Sequence, residues 1–166
     1  MTTIHTGGCQ CGAIRFKVTG ELGTASICHC RMCQKAFGGL YGPLVGIRGD
    51  TELVWTRGEP KRFQSSNVVS RGFCSDCGTP LTYEAPNDDT AIAIGAFDDP
   101  RALAPVIQYG IEGKLPFTDD MAVIPARTTE EDSETAEFLA TIVSNQHPDH
   151  DTDTWPPVQS GKSKNQ

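Results

Sequence analysis

Apolar and polar side chains alternate along the stretch Ile14, Arg15, Phe16, Lys17, Val18, Thr19, and Gly20 ends the run. A period of two marks a half-buried strand, because successive side chains of an extended chain point to opposite faces. Ile14, Phe16 and Val18 are therefore expected inside, with Arg15, Lys17 and Thr19 outside. Shorter β-like runs follow at 25–28, 40–47, 52–55, 68–73, 80–84, 91–95 and 106–111, separated by turn sequences such as Gly49-Asp50, Gly58-Glu59-Pro60, Pro86-Asn87-Asp88 and Asp98-Asp99-Pro100. Many short strands at this spacing predict a mainly β fold of folded antiparallel sheets. One short helix is predicted over 30–37, stopped by Gly38-Gly39. A second is predicted near the C-terminus, where Thr128 or Thr129 precedes Glu130, Glu131 and Asp132, acids suited to a first helical turn. Phe138, Leu139, Ile142 and Val143 would give it an apolar face to dock on the sheet. The organisation expected is a metal-binding domain over 1–127, an appended helix over 128–144 and a disordered tail over 145–166, which is too polar to offset its ordering entropy.

Composition narrows the picture. A chain of 166 residues with 37% hydrophobic positions is one domain's worth of sequence, and no apolar run approaches the roughly 18 residues that would span a bilayer, so no membrane partner is expected. The first twelve residues lack a basic stretch followed by an apolar segment, which predicts a cytoplasmic protein with reduced thiols. Formal charge is −7, with the acidic excess concentrated after residue 127. Two zinc ions on seven thiolates would take it to about −10. Nucleic acid is a poor partner for such a surface, since it requires a basic stripe with stacking aromatics.

Seven cysteines carry the candidate chemistry: Cys9-x-Cys11, Cys28-x-Cys30-x-x-Cys33 and Cys74-x-x-Cys77. Two cysteines at x and x+2 of an extended segment share a face, and Cys-x-x-Cys before Gly78 has the form of a zinc knuckle. Seven sulfurs divide most economically into four and three. A four-thiolate zinc is closed and structural, whereas a three-thiolate zinc keeps a position for water or substrate. The triplet Cys28, Cys30 and Cys33 is the natural three-ligand set, leaving Cys9, Cys11, Cys74 and Cys77 as the closed site. Spacing also allows Cys9, Cys11, Cys28 and Cys30 to close one site and Cys33, Cys74 and Cys77 to form the other. His29, between two ligands of a strand-like segment, should point away from them; His5, His147 and His150 read as solvated.

Gly8-Cys9-Gln10-Cys11-Gly12, Cys28-His29-Cys30-Arg31-Met32-Cys33 and Phe73-Cys74-Ser75-Asp76-Cys77-Gly78-Thr79-Pro80-Leu81 together resemble the glutathione-dependent formaldehyde-activating enzyme family, which includes centromere protein V. The resemblance covers residues 7–125, with all seven cysteines matching in order and spacing. It implies a zinc-bearing β-tent, a structural zinc on Cys9, Cys11, Cys74 and Cys77, and a catalytic-type zinc on Cys28, Cys30 and Cys33. The activity it implies is condensation of glutathione with formaldehyde, a carbon–sulfur lyase reaction in reverse. A non-catalytic zinc module that carries glutathione or binds a protein partner is the alternative.

A soft, sulfur-rich zinc suits capture of a substrate thiol as thiolate, and glutathione is the expected small-molecule substrate or ligand. Its carboxylates need cations. Arg31 and Lys35, four apart beside the triplet, are the candidate contacts, and Arg71 lies just before the knuckle. Trp55 and Phe63 read as core residues.

Overall fold

The structure is a computed structural model that describes residues 2–87, 90–131 and 135–156. Among these residues, ten strands form two sheets. β1 (Ile4–Gly8), β2 (Arg15–Thr19) and β5 (Glu52–Arg57) make a three-stranded antiparallel sheet with β2 central. The larger sheet has the order β10-β3-β4-β9-β8-β7-β6, from β3 (Leu22–Cys28), β4 (Gly42–Ile47), β6 (Lys61–Gln64), β7 (Ser70–Phe73), β8 (Pro80–Glu84), β9 (Thr90–Ala93) and β10 (Ile107–Tyr109). Every pair is antiparallel except β10 on β3, which is parallel and brings Tyr109 opposite Cys28. A bridge from Gly7 to Phe97 joins the smaller sheet to the 3-10 turn that follows β9.

Phe16 and Val18 on β2, Leu81 on β8 and Ile92 on β9 are fully buried in one core. Phe16 takes Trp55 edge-on at 5.9 Å and Phe97 at 5.1 Å, geometries that suit ring quadrupoles. The alternation read from the sequence thus faces the core as expected, except at Arg15. That residue is buried too, because a register shift between Arg15 and Phe16 turns it toward Asp98. Its guanidinium donates to both Asp98 carboxylate oxygens at 2.8 and 2.6 Å, and Nε donates to Asp151 at 2.8 Å.

Burial works to raise the Asp98 carboxyl, but the hydrogen bonds from Arg15 and Thr6 outweigh it and hold the group below its ordinary value of 3.8. A carboxyl depressed in the folded state contributes stability above the unfolded pKa and loses it as pH falls through the folded value. Asp98→Asn is therefore expected to flatten stability against pH below about pH 4. Urea midpoints from pH 2.5 to 6 check this, and parallel wild-type and variant curves would contradict it.

Two strands were not predicted. β1 is interrupted by glycines and lacks a hydrophobic alternation, so only its pairing with β2 defines it. β6 exposes all four residues at the edge of the large sheet, with no buried face to leave a periodic signal. Phe63, expected in the core, lies on β6 and is 64% exposed.

The first helix forms as predicted. α1 (Arg31–Phe37) starts from Cys30, whose sulfur accepts the Cys33 N–H, and stops at Gly38. It packs closely over β4. A Cβ built on Gly42 would lie 2.9 Å from the Phe37 ring and 3.1 Å from the Cys33 Cβ, so a side chain there would push the helix off the sheet.

The C-terminal region departs further from expectation. Thr128 and Glu131 form a reciprocal capping box, each backbone N–H meeting the other's side chain, but Asp132 lies outside the described residues. The helix itself, α2 (Ala136–Thr141), is short and buries no residue. Phe138 is 66% exposed and Ile142 and Val143 are also exposed, so α2 is not docked by its apolar face. Of the segment read as a tail, residues 157–166 lie outside the described residues, whereas 146–155 return to the body. His147 is the clearest correction: read as solvated, it is 4% exposed. No helix among the described residues is long and apolar enough to cross a membrane.

Candidate metal centres

Cys9 and Cys11 lie in the turn between β1 and β2, and Cys74 and Cys77 in the turn between β7 and β8. The two turns are built alike. In one, Cys9 N–H donates to the Ile14 carbonyl and Gly12 N–H to the Cys9 carbonyl; in the other, Cys74 N–H donates to Thr79 and Gly78 N–H to Cys74. Each turn has a glycine at positive φ, Gly12 at 77° and Gly78 at 78°, a conformation costly for a residue with a Cβ.

The four sulfurs lie within 4.8 Å of one another. Cys9 and Cys11 are 3.6 Å apart, Cys11 and Cys74 3.9 Å. A tetrahedron with metal–sulfur bonds of about 2.3 Å has edges of about 3.8 Å, so these separations fit a soft divalent ion and are far too long for disulfides. All seven cysteines are free thiols. Burial pushes the Cys9 and Cys11 thiols up. For Cys77 burial also acts upward, but hydrogen bonds from Thr79 overcome it and bring the thiol to about 6.

The returning C-terminal segment straps this four-sulfur cluster. His147 N–H donates to the Gln10 carbonyl at 2.7 Å, and Trp155 Nε1 donates to the Cys11 carbonyl at 2.7 Å. Arg57 Nη1 donates to the Gly12 carbonyl and Nη2 to the Thr152 carbonyl. The His147 ring lies against Gly12, where a Cβ would meet it at 2.1 Å. Nothing in the local sequence signals this docking, because it depends on scattered single contacts, the Arg15 bond to Asp151 among them, rather than on a periodic face.

Cys28, Cys30 and Cys33 form the second cluster, also with sulfurs within 4.8 Å of one another. Cys28 ends β3, Cys30 caps α1 and Cys33 occupies the helix's first turn, so a strand and a helix jointly fix the three sulfurs. Among the described residues no fourth histidine, cysteine or carboxylate joins them. His29 points away as expected: it is buried, with Nε2 2.7 Å from Gln108 Oε1 and its ring edge-on to Tyr41. Gln34 locks this corner, donating to the carbonyls of His29 and Gly113.

Burial acts upward on both Cys30 and Cys33. For Cys30, hydrogen bonding from the Cys33 N–H and the neighbouring thiols prevails and lowers it. For Cys33, burial prevails and pushes the thiol to about 12, against the pull of Arg71.

Beside this cluster runs a cleft of about 410 Å³ between α1 and the β6–β7 edge, lined by Arg31, Met32, Lys35, Phe63, Ser65 and Arg71 among others. Arg31 and Lys35 are exposed and share its wall, one helical turn apart. Arg71 is 8% exposed and joins the cleft to the cluster: Nη2 donates to Cys33 Sγ at 3.3 Å, Nε donates to Ser65 Oγ at 3.1 Å, and the guanidinium lies 5.0 Å from the Tyr83 ring centroid. In the sequence, Arg71 was only a nearby cation. Its contact with Cys33, 38 residues away, exists because the large sheet brings β7 alongside α1.

Known proteins resemble this chain in sequence and in fold. An uncharacterized lyase of Schizosaccharomyces pombe is 30% identical over 100 residues, 56% of this chain and 66% of the relative. A Halomonas elongata protein provisionally named a glutathione-dependent formaldehyde-activating enzyme is 30% identical over 83 residues, 45% of this chain and 52% of that protein. The chain thus spans slightly under two-thirds of one relative and about half of the other. A crystal structure of a Rhodobacter sphaeroides protein shares the fold at a TM-score of 0.50 and 23% identity, covering 62% of this chain and 98% of that one. The profile of the glutathione-dependent formaldehyde-activating enzyme family matches residues 4–112, a span that holds all seven cysteines and both sheets, and the chain belongs to that family.

Proposed function

We propose that the chain is a zinc-dependent enzyme of the carbon–sulfur lyase type, joining glutathione or a related thiol to formaldehyde or a related aldehyde and running the reverse cleavage. The observation that carries this reading is the difference in donor number: four sulfurs at one cluster, and three at the other with no fourth ligand among the described residues. Cys9, Cys11, Cys74 and Cys77 would hold a structural zinc. Cys28, Cys30 and Cys33 would hold the second ion, which when bound supplies a soft Lewis-acid position able to take a thiol as thiolate below its ordinary pKa of about 8.5.

The chain's own residues do the positioning. Arg31 and Lys35, on one wall of the cleft, offer cations for the two carboxylates of glutathione. Phe63 and Met32 on the same cleft give an apolar surface beside those cations. In the reaction the thiol sulfur forms a bond to the carbonyl carbon, the carbonyl π pair moves to oxygen, and that oxygen takes up a proton equivalent to the one the thiol lost. Atoms and charge balance without an oxidant or reductant.

X-ray absorption on protein loaded with two zinc ions tests the site directly. Seven cysteine sulfurs on two ions average about 3.5 per ion. Saturating glutathione is expected to raise that toward 4, and a formaldehyde-consumption assay then separates enzyme from carrier. A count unmoved by glutathione would overturn thiol capture; a rise to 4 without turnover above the uncatalysed rate would favour the carrier.

A further inference from the structure

We propose that Arg71 is a positioning residue of the three-cysteine site, which lets an anionic substrate sulfur join Cys28, Cys30 and Cys33 by neutralising their charge and holding Cys33 Sγ in place. This rests on the thiol-capture reading and names the residue that makes capture favourable.

The argument is one of charge in a confined place. Three thiolates on a divalent ion carry a net charge of −1, and a fourth thiolate would bring it to −2. Repulsion of that kind is weak in water but strong where the dielectric is low. Cys33 is buried and Arg71 nearly so. With the guanidinium included, the unit is neutral before substrate arrives and only −1 afterwards.

The geometry supports a dedicated role. One arm of the guanidinium donates to Cys33 Sγ, Nε is held by Ser65 Oγ, and the ring of Tyr83 lies against it. No carboxylate forms a salt bridge with it among the described residues, so its charge is directed to sulfur. A hydrogen bond to a metal-bound thiolate also draws electron density from that sulfur, which leaves the ion more receptive to a further donor. Arg71 lines the cleft as well, so a thiol approaching through the cleft passes it.

Cobalt(II)-substituted protein provides the test, because its sulfur-to-cobalt charge-transfer bands report ligands at the site without any need for turnover. Wild type, Arg71→Met, Arg71→Lys and Ser65→Ala are titrated with 2-mercaptoethanol, which has no carboxylate, and with glutathione. Affinities are expressed per cobalt bound at the three-cysteine site.

Arg71→Met is expected to weaken 2-mercaptoethanol binding about tenfold, the size of one charge-assisted hydrogen bond, and to shift the charge-transfer band of the thiol-free protein. Arg71→Lys should recover part of the affinity by restoring charge, and Ser65→Ala should weaken binding about twofold to threefold by loosening the guanidinium.

Three results would overturn the assignment: Arg71→Met binding both thiols as wild type does; a loss confined to glutathione, which would make Arg71 a carboxylate contact; or a loss in Arg71→Met that neither charge in Arg71→Lys nor looser seating in Ser65→Ala modulates. A wild-type spectrum indifferent to both thiols would instead remove the thiol-capture reading itself, and the role of Arg71 with it.

Discussion

Replacing Cys30 with serine is expected, on the proposed function, to abolish catalysed condensation of glutathione with formaldehyde while leaving the protein folded. Cys30 has two roles in the structure, and the substitution separates them. Its sulfur caps α1 by accepting the Cys33 N–H, and serine is among the best residues for that task. Its second role is as one of three clustered sulfurs. Serine cannot supply a thiolate, and two sulfurs do not retain zinc as three do. The loss of Lewis-acid stabilisation, worth several kcal/mol, should lower the enzymatic rate about a thousandfold, to near the uncatalysed condensation. Proton NMR of the hydroxymethyl product measures this, alongside zinc content and the melting midpoint. Unchanged turnover with two zinc ions still bound would sink the proposed mechanism.

The opposite profile is expected at the other cluster. Cys74→Ser should lose one zinc and more than about 4 kcal/mol of stability, within the range of disrupted metal or core sites. Cys74 is almost fully buried, and its cluster ties the β1–β2 turn to the β7–β8 turn across 63 residues of chain. Those turns belong to different sheets, so loss of the ion frees one sheet from the other as well as emptying a site. The strap through His147 and Trp155 is anchored on Gln10 and Cys11 carbonyls of the same turn and should loosen with it. At about 2–4 °C per kcal/mol for a chain of this size, the midpoint should fall by roughly 10 °C. Calorimetry with metal analysis reads both quantities. A variant that sheds its ion yet melts within about 3 °C of wild type would show that this cluster does not hold the sheets together.

Much of the candidate site was legible because metal ligation constrains spacing. Cysteines at x, x+2 and at x, x+3 are close for local geometric reasons, so the contents of each group could be read from the chain. Which groups combine is a long-range question, and spacing alone left Cys9 and Cys11 free to join either Cys28 and Cys30 or Cys74 and Cys77. Family resemblance pointed to the second, and the folded chain brings those sulfurs together. The helix over 30–37 was legible from its stop signal, and the β2 core face from its alternation.

What the sequence determined by itself is therefore local: the mainly β character, the inward face of Phe16 and Val18, the short helix beside the triplet and the thiol-rich groups able to hold a metal. Tertiary structure decided the rest. It decided that Arg15, at a position read as outward, is buried on Asp98 and Asp151. It put Phe63 on the cleft instead of in the core, turned Arg71 onto Cys33 and bound His147 over Gly12. Periodicity records the averaged environment of a whole face, whereas Arg15, Arg71 and His147 are held by single partners far along the chain, Asp151 136 positions from Arg15 and Cys33 38 positions from Arg71, and such pairings leave no regular trace. Phe63 differs: it lies on an edge strand whose four residues are all exposed, so no core face was there for it to share.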